Sequence, residues 1–157
     1  MSAPTDRSMT QGTAAPWVRI GLVALAVPQA ITGVWAIADG SGWFEDFPGF
    51  EPRLAAAEPP FNAHLTADAG AGFLATALVL LVGAWWADRR SVRLALLTYL
   101  AFAVPHLTYH ALNPAPGLTD AEDLRNVVTL GVGAALPLVL WWATLRRGRD
   151  RARSQRT

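Results

Sequence analysis

The chain has 157 residues, 52% of them hydrophobic and only 16% charged, with a formal net charge of +1. Long apolar runs at so low a charge exclude an ordinary soluble domain and point to a polytopic membrane protein. It contains no cysteine, which excludes disulfides, thiolate metal centres and cysteine nucleophiles, and all 13 of its basic residues are arginine.

Residues 1–16 read as a polar tail. The first span covers 17–38. Ala36-Ile37-Ala38 resembles a signal-peptidase site, but the apolar run is long for a signal segment and its flank is weakly basic, so it is read as a retained span. The second span covers 63–87, the third 92–112 and the fourth 126–145. Each is close to the roughly 20 helical residues needed to cross about 30 Å of hydrocarbon. The runs are continuous rather than alternating, which argues against a β-barrel. The short connection at 88–91 makes spans two and three an antiparallel hairpin. The fold class expected is therefore all-α: a four-helix transmembrane bundle at 17–145, followed by an arginine-rich tail at 146–157.

Arginine sets the expected orientation. Arg7, Arg19, Arg89, Arg90, Arg93, Arg146, Arg147, Arg149, Arg151, Arg153 and Arg156 share one side of a four-span bundle, whereas only Arg53 and Arg125 fall on the other. Nine of the 12 acidic residues lie toward that other side. Both termini read as cytoplasmic, in a multi-pass protein of a cell membrane. Trp17, Trp85, Trp86, Trp141 and Trp142 mark the cytoplasmic interface, and Trp35 and Trp43 the external one, as amphipathic indoles do. The C-terminal arginines read as a topology signal in contact with anionic lipid headgroups, with no nucleic-acid partner implied.

Two loops form the external mouth. Residues 39–62 combine Trp43, Phe44, Phe47, Phe50 and Phe61 with Glu45, Asp46, Glu51 and Glu58. Disordered segments are poor in aromatics, so this loop reads as a packed cap or a segment lying among headgroups. In the second loop, 113–125, Thr119-Asp120-Ala121-Glu122 is a capping-box pattern that starts a helix near Thr119 and leads into span four.

All three histidines of the chain sit at this end of the hairpin. His64 and Asp68 are four apart at the start of span two, and His106 and His110 are four apart at the end of span three, so each pair shares a helix face. The midpoint of His64 and His110 is residue 87, as is that of Asp68 and His106, while Asp68 and His110 centre on 89. Two depth registers follow, about one helical turn apart, and neither fixes the rotation of the helices. Pro105 removes a backbone hydrogen bond beside His106 and frees the carbonyl of Ala101. Gly70 and Gly72 let a neighbouring helix approach span two.

Ionisable groups inside a membrane are functional by default. Imidazole and carboxylate together suit a transition metal such as zinc, copper or iron, so His64, Asp68, His106 and His110 are the candidate ligands. Asn62, Tyr109 and Asn126 are near enough in depth to support them by hydrogen bonding. Facing imidazoles such as His64 and His110 could instead hold haem b. Two rival readings stand beside these. One is a small-molecule or lipid-binding enzyme using the same groups as acid and base. The other is a non-enzymatic accessory subunit that uses its small-residue faces to join a larger membrane complex or homo-oligomer. In a purely structural role the histidines would instead form a polar network between helices, and Asp68 would pair with a neighbouring helix or with an arginine such as Arg125.

Asn62-Ala63-His64-Leu65-Thr66-Ala67-Asp68-Ala69-Gly70 and Pro105-His106-Leu107-Thr108-Tyr109-His110 resemble the N-x-H-x-x-x-D-x-G and P-H-x-x-Y-H blocks of a group of small uncharacterised actinobacterial four-span membrane proteins. The loop Trp43-Phe44-Glu45-Asp46-Phe47-Pro48-Gly49 is similar to theirs as well. The resemblance covers most of 17–145 and implies a four-helix membrane fold, distantly DoxX-like in shape. It implies no particular activity.

Overall fold

The computed structural model of the chain describes residues 14–154. The tail before residue 14, residues 155–157 and the side chains of the C-terminal arginines lie outside the described residues, and so does the reading of that tail as a lipid-headgroup contact.

Five helices are present: α1 (Pro16–Ala38), α2 (Gly40–Asp46), α3 (Ala63–Trp86), α4 (Arg89–Leu112) and α5 (Asp120–Ser154). Four are long and apolar enough to cross a membrane, namely α1, α3, α4 and the Asp120–Trp142 part of α5. There is no strand among the described residues. This is the all-α four-span bundle expected. The fourth helix begins six residues before the predicted span and continues to Ser154. Its polar first turn is held by the capping box: Thr119 donates its backbone N–H and hydroxyl to Glu122 at 2.9 and 2.7 Å. At the other end, the helix runs on through Pro137 and Gly148 to Ser154, and the arginines that fill most of 146–153 propagate helix well.

Each remaining end has a local cause. Asn62 caps α3 by accepting the Leu65 N–H at 3.0 Å, and Asp39 caps α2 by accepting that of Gly42 at 3.0 Å. Asp88 caps α4, accepting the N–H groups of Arg90 and Ser91 at 2.9 and 3.0 Å and the Ser91 hydroxyl. Side-chain acceptors at N-caps satisfy donors that the helix leaves orphaned. α3 ends where Ala87 takes a left-handed conformation with φ +53°.

α1 runs along α3, α3 along α4 and α4 along α5; α5 then touches α1 over a short stretch where Leu140 covers Gly21. The α1–α3 seam is built on glycine. A Cβ at Gly33 would stand 2.8 Å from the backbone oxygen of Gly70 and 2.9 Å from the Leu74 nitrogen. Small residues let helix backbones approach this closely. Gly70 therefore plays the role expected of it, whereas a Cβ at Gly72 would meet nothing within 4 Å.

The close-packed apolar core lies toward the arginine-rich face. It joins Val18, Leu22 and Leu25 of α1, Leu80 of α3, Val92, Leu96 and Tyr99 of α4, and Leu140 of α5. Arg19, in the first turn of α1, donates Nε–H to the Ala84 carbonyl at 3.0 Å. It borders an open groove of about 250 Å³ with Val23, Leu81, Ala84 and Trp85. Nearer the loops α5 turns no residue fully inward: its buried positions are Ala134, Pro137, Leu140 and Thr144. Large apolar side chains such as Ile20, Leu78, Leu94 and Val132 point outward and are more than half exposed. A bilayer, in which apolar outer surface carries no penalty, is the solvent this arrangement fits.

The first loop folds into a cap, as its aromatic content suggested. Trp43 packs on Phe47 and Phe44 on Phe61, with ring centroids 5.4 and 5.3 Å apart. Arg53 pairs with Asp46 at 2.7 Å and Glu51 at 3.0 Å. The two loops are tied together where Gly117 donates its N–H to the Ala57 carbonyl at 3.1 Å. A Cβ at Gly117 would meet the Ala57 backbone at 2.7 Å.

Candidate functional site

Helix α4 buries Val92, Ala95, Leu96, Tyr99 and Ala103. These positions recur at three- and four-residue spacing, the inner stripe of a packed helix. Continuing the same spacing outward reaches Phe102, His106 and His110. The rings follow one another along the helix: Phe102 meets Phe73 of α3 edge-on at 5.0 Å, His106 stacks on Phe102 at 5.4 Å, and His110 meets His106 edge-on at 4.8 Å. Tyr109 closes the series with its ring edge-on to His110 at 5.5 Å.

Above this column sits Glu58, carried by the first loop. Its Oε1 lies 3.9 Å from Nδ1 of His110. That exceeds the range of a direct hydrogen bond, yet both atoms are buried and neither has a hydrogen-bond partner. An unpaired buried polar atom costs on the order of 1–3 kcal/mol, and such atoms are rare in native structures. Two of them face each other here across less than 4 Å, and the fold alone gives no reason for the pair. Gln29, on the inner stripe of α1, and Trp43, in α2, contribute two further buried polar atoms without partners, Oε1 and Nε1.

His64 and Asp68 belong elsewhere. Nε2 of His64 lies 3.4 Å from Oδ2 of Asp68, and the two side chains are 89% and 64% exposed. At about 100° per residue, His64 lies about 180° around α3 from Phe73, the residue that meets α4. Asp68 is about 140° away. Both therefore face out of the bundle, while Thr66 and Gly70 face in. The expected depth relation holds: Phe73 and Phe102 centre between residues 87 and 88, so the pairs do sit at comparable heights. Rotation separates them.

Among the described residues no three His, Asp or Glu side chains are gathered so as to hold a metal ion. The expected set of His64, Asp68, His106 and His110 is thus split by the structure into an outward pair and an inward pair. His64 and His110 do not face each other in the way that axial haem ligands would. Asp68 takes His64 as its partner in place of Arg125. Of the supporting residues, Asn62 is a helix cap, Tyr109 borders His110, and Asn126 is half-buried on α5. Asp123 braces the second loop by accepting the Ala115 N–H at 3.2 Å.

Sequence reasoning missed Glu58 and Gln29. Glu58 is one of many acidic residues in its loop, and only the folded cap brings it over His110. Gln29 was legible in principle: it lies on the three- and four-residue stripe of Leu22, Leu25, Ala26, Gly33 and Ala36.

The inner group combines two imidazoles with a carboxylate under a lid. A neutral imidazole offers one donor and one acceptor, an ionised carboxylate only acceptors. Together they can bind a group that both donates and accepts, and can pass it a proton. Compared with family models, with curated proteins and with solved structures, the chain finds no match.

Proposed function

We propose that this chain is a multi-pass protein of a bacterial cell membrane, with both termini cytoplasmic, that binds a small hydrogen-bonding molecule in the Glu58–His110–His106 group. The site is reached from the external side, and the imidazoles and carboxylate are available as acid and base. The observation that carries this reading is the pair of buried, partnerless atoms, His110 Nδ1 and Glu58 Oε1, 3.9 Å apart. A ligand atom hydrogen-bonded to both, at about 2.7–3.0 Å, enters by displacing the loop that carries Glu58, because the closed site leaves neither atom open to a water-sized group. Because the imidazole–carboxylate donors for zinc, copper or iron are not gathered within one copy, the occupant proposed for this site is an organic molecule rather than a metal ion or haem b. The small glycines and the outward apolar faces that a subunit of a larger complex would use are consistent with this role and do not by themselves identify a partner.

The test is nitrogen-15 NMR of histidine-labelled protein in lipid nanodiscs, from about pH 5 to 8, where imidazole titrates. His110 should shift on Glu58→Gln and on addition of small amides or carboxylic acids. A His110 resonance indifferent to both would sink the reading.

A further inference from the structure

His64 and Asp68 form a chelate aimed away from their own bundle. A zinc ion bound at about 2.0–2.1 Å by imidazole nitrogen and carboxylate oxygen in tetrahedral geometry holds those two atoms about 3.3 Å apart. Nε2 of His64 and Oδ2 of Asp68 already stand 3.4 Å apart. The helix sets this spacing, since residues four apart lie one above the other on a single face. One copy supplies two ligands, and among the described residues no third His, Asp or Glu side chain is gathered with them.

Three observations point to the source of the other two. First, Asp68 is the sixth residue of α3, about 7.5 Å along the helix axis from Ala63, and its side chain is 64% exposed on the outer face of a membrane span. Carboxylates at such depth face protein or a cavity, not lipid. Second, the first turns of that face beside the pair are small: Ala67, Ala71 and Ala75 are exposed there, with the large side chains Leu65 and Leu78 at its margins, and small residues allow a second helix to approach closely. Third, copies inserted in one membrane have the same orientation. A two-fold axis along the membrane normal therefore brings each residue to the depth of its counterpart. The two Asp68 carboxylates would meet at one level and repel. A divalent cation cancels their combined charge, and with two neutral imidazoles the site is neutral, as a low-dielectric setting requires.

We infer that two copies of this chain associate through the outer face of α3 and hold one zinc-type divalent cation between them, with His64 and Asp68 of each copy as its four ligands. The site is closed, with no open position, and belongs to the assembly rather than to catalysis. It is separate from the Glu58–His110–His106 group and does not depend on that reading.

The experiment loads purified full-length protein in nanodiscs or detergent with zinc, then measures metal content and oligomeric mass together. One zinc per two chains is expected, with at least a tenfold gain in dimer over the zinc-free protein. His64→Ala and Asp68→Asn should each abolish both effects. Asp68→Glu should retain both effects, because it keeps the carboxylate charge and two donors one turn apart. Unchanged cooperative thermal unfolding in all variants shows that the fold survives. One zinc per chain, zinc binding that persists in His64→Ala, no change of mass on loading, or loss of the zinc-linked dimer in Asp68→Glu would each overturn the inference.

Discussion

Phe73 of α3 meets Phe102 of α4 edge-on, with ring centroids 5.0 Å apart. That contact, with the close approach of Gly83 to Ala95 nearer the hairpin turn, sets the height and the rotation of one helix against the other. It directs His106 and His110, one and two turns beyond Phe102, into the bundle. It directs His64 and Asp68, on the far side of α3, out of it. Two i, i+4 pairs that look alike in the sequence thereby acquire different surroundings and different chemistry.

The inner pair carries an energetic cost that a purely structural role would not retain. Replacing both Glu58 and His110 by apolar residues, as Glu58→Met with His110→Leu, removes two unsatisfied buried atoms. The double variant is expected to be at least as stable as the parent, with a gain of up to about 1–3 kcal/mol, and to have lost ligand binding. Unfolding in mixed micelles measures the first effect. A large loss of stability would instead assign the pair to the fold.

The glycines divide sharply. Gly33→Ala forces a methyl against the backbone of α3 at 2.8–2.9 Å. Backbone cannot yield as a flexible side chain can, and a cost of about 1–3 kcal/mol is expected. Gly72→Ala and Gly131→Ala meet nothing within 4 Å and should be neutral or mildly stabilising, since alanine exceeds glycine in helix propensity by about 1 kcal/mol. Parallel unfolding curves of the three variants check the ordering.

The cap of α4 predicts an acid-labile increment of stability. The hydroxyl of Ser91, followed by its backbone N–H, holds the Asp88 carboxyl below its ordinary value. A depressed native value means that the stabilisation is complete above the unfolded carboxyl range, near pH 4, and is lost as pH falls through the native value. Asp88→Ala should cost about 1 kcal/mol at neutral pH. Asp88→Asn should keep much of the cap and lose this part of the acid dependence. Denaturation at neutral pH and near pH 3 separates the two variants.

Arg19 ties the start of α1 to the last turn of α3, where carbonyls lack helical partners. Because the side chain is largely exposed, Arg19→Met is expected to cost only about 1 kcal/mol. Arg19→Lys should recover only part of it, since the planar Nε–H donor is gone. Thermal unfolding of both variants against the parent measures this.

Much of this architecture was legible in the sequence. Hydropathy located the four spans to within a few residues, except where Thr119 and Glu122 start the last helix early, and that capping box was itself readable. The depth of the histidines followed from hairpin arithmetic. Their rotation did not, because a uniformly apolar helix gives weak warning of which face meets a neighbour. The small residues Thr66, Gly70 and Ala77 hold that information for α3, and on α4 it is carried by the stripe from Val92 through Tyr99 to His106. Glu58 was beyond reach, because its position depends on a loop closing over helices more than fifty residues later in the chain.

The close-packed core of Val18, Leu22, Leu80, Leu96 and Leu140 lies toward the arginine-rich face, while α5 buries nothing beyond Ala134 toward the loops. Resistance to opening is therefore graded along the membrane normal. Toward the loops α5 can part by local fluctuation at a fraction of the cost of global unfolding, while α1 and α3 stay clamped there at Gly33 and Gly70 and the arginine-rich end keeps the four helices in register. On the proposed reading, a ligand then reaches the polar column on the α5 side without the core opening, so access and structural integrity fall to different parts of one small bundle.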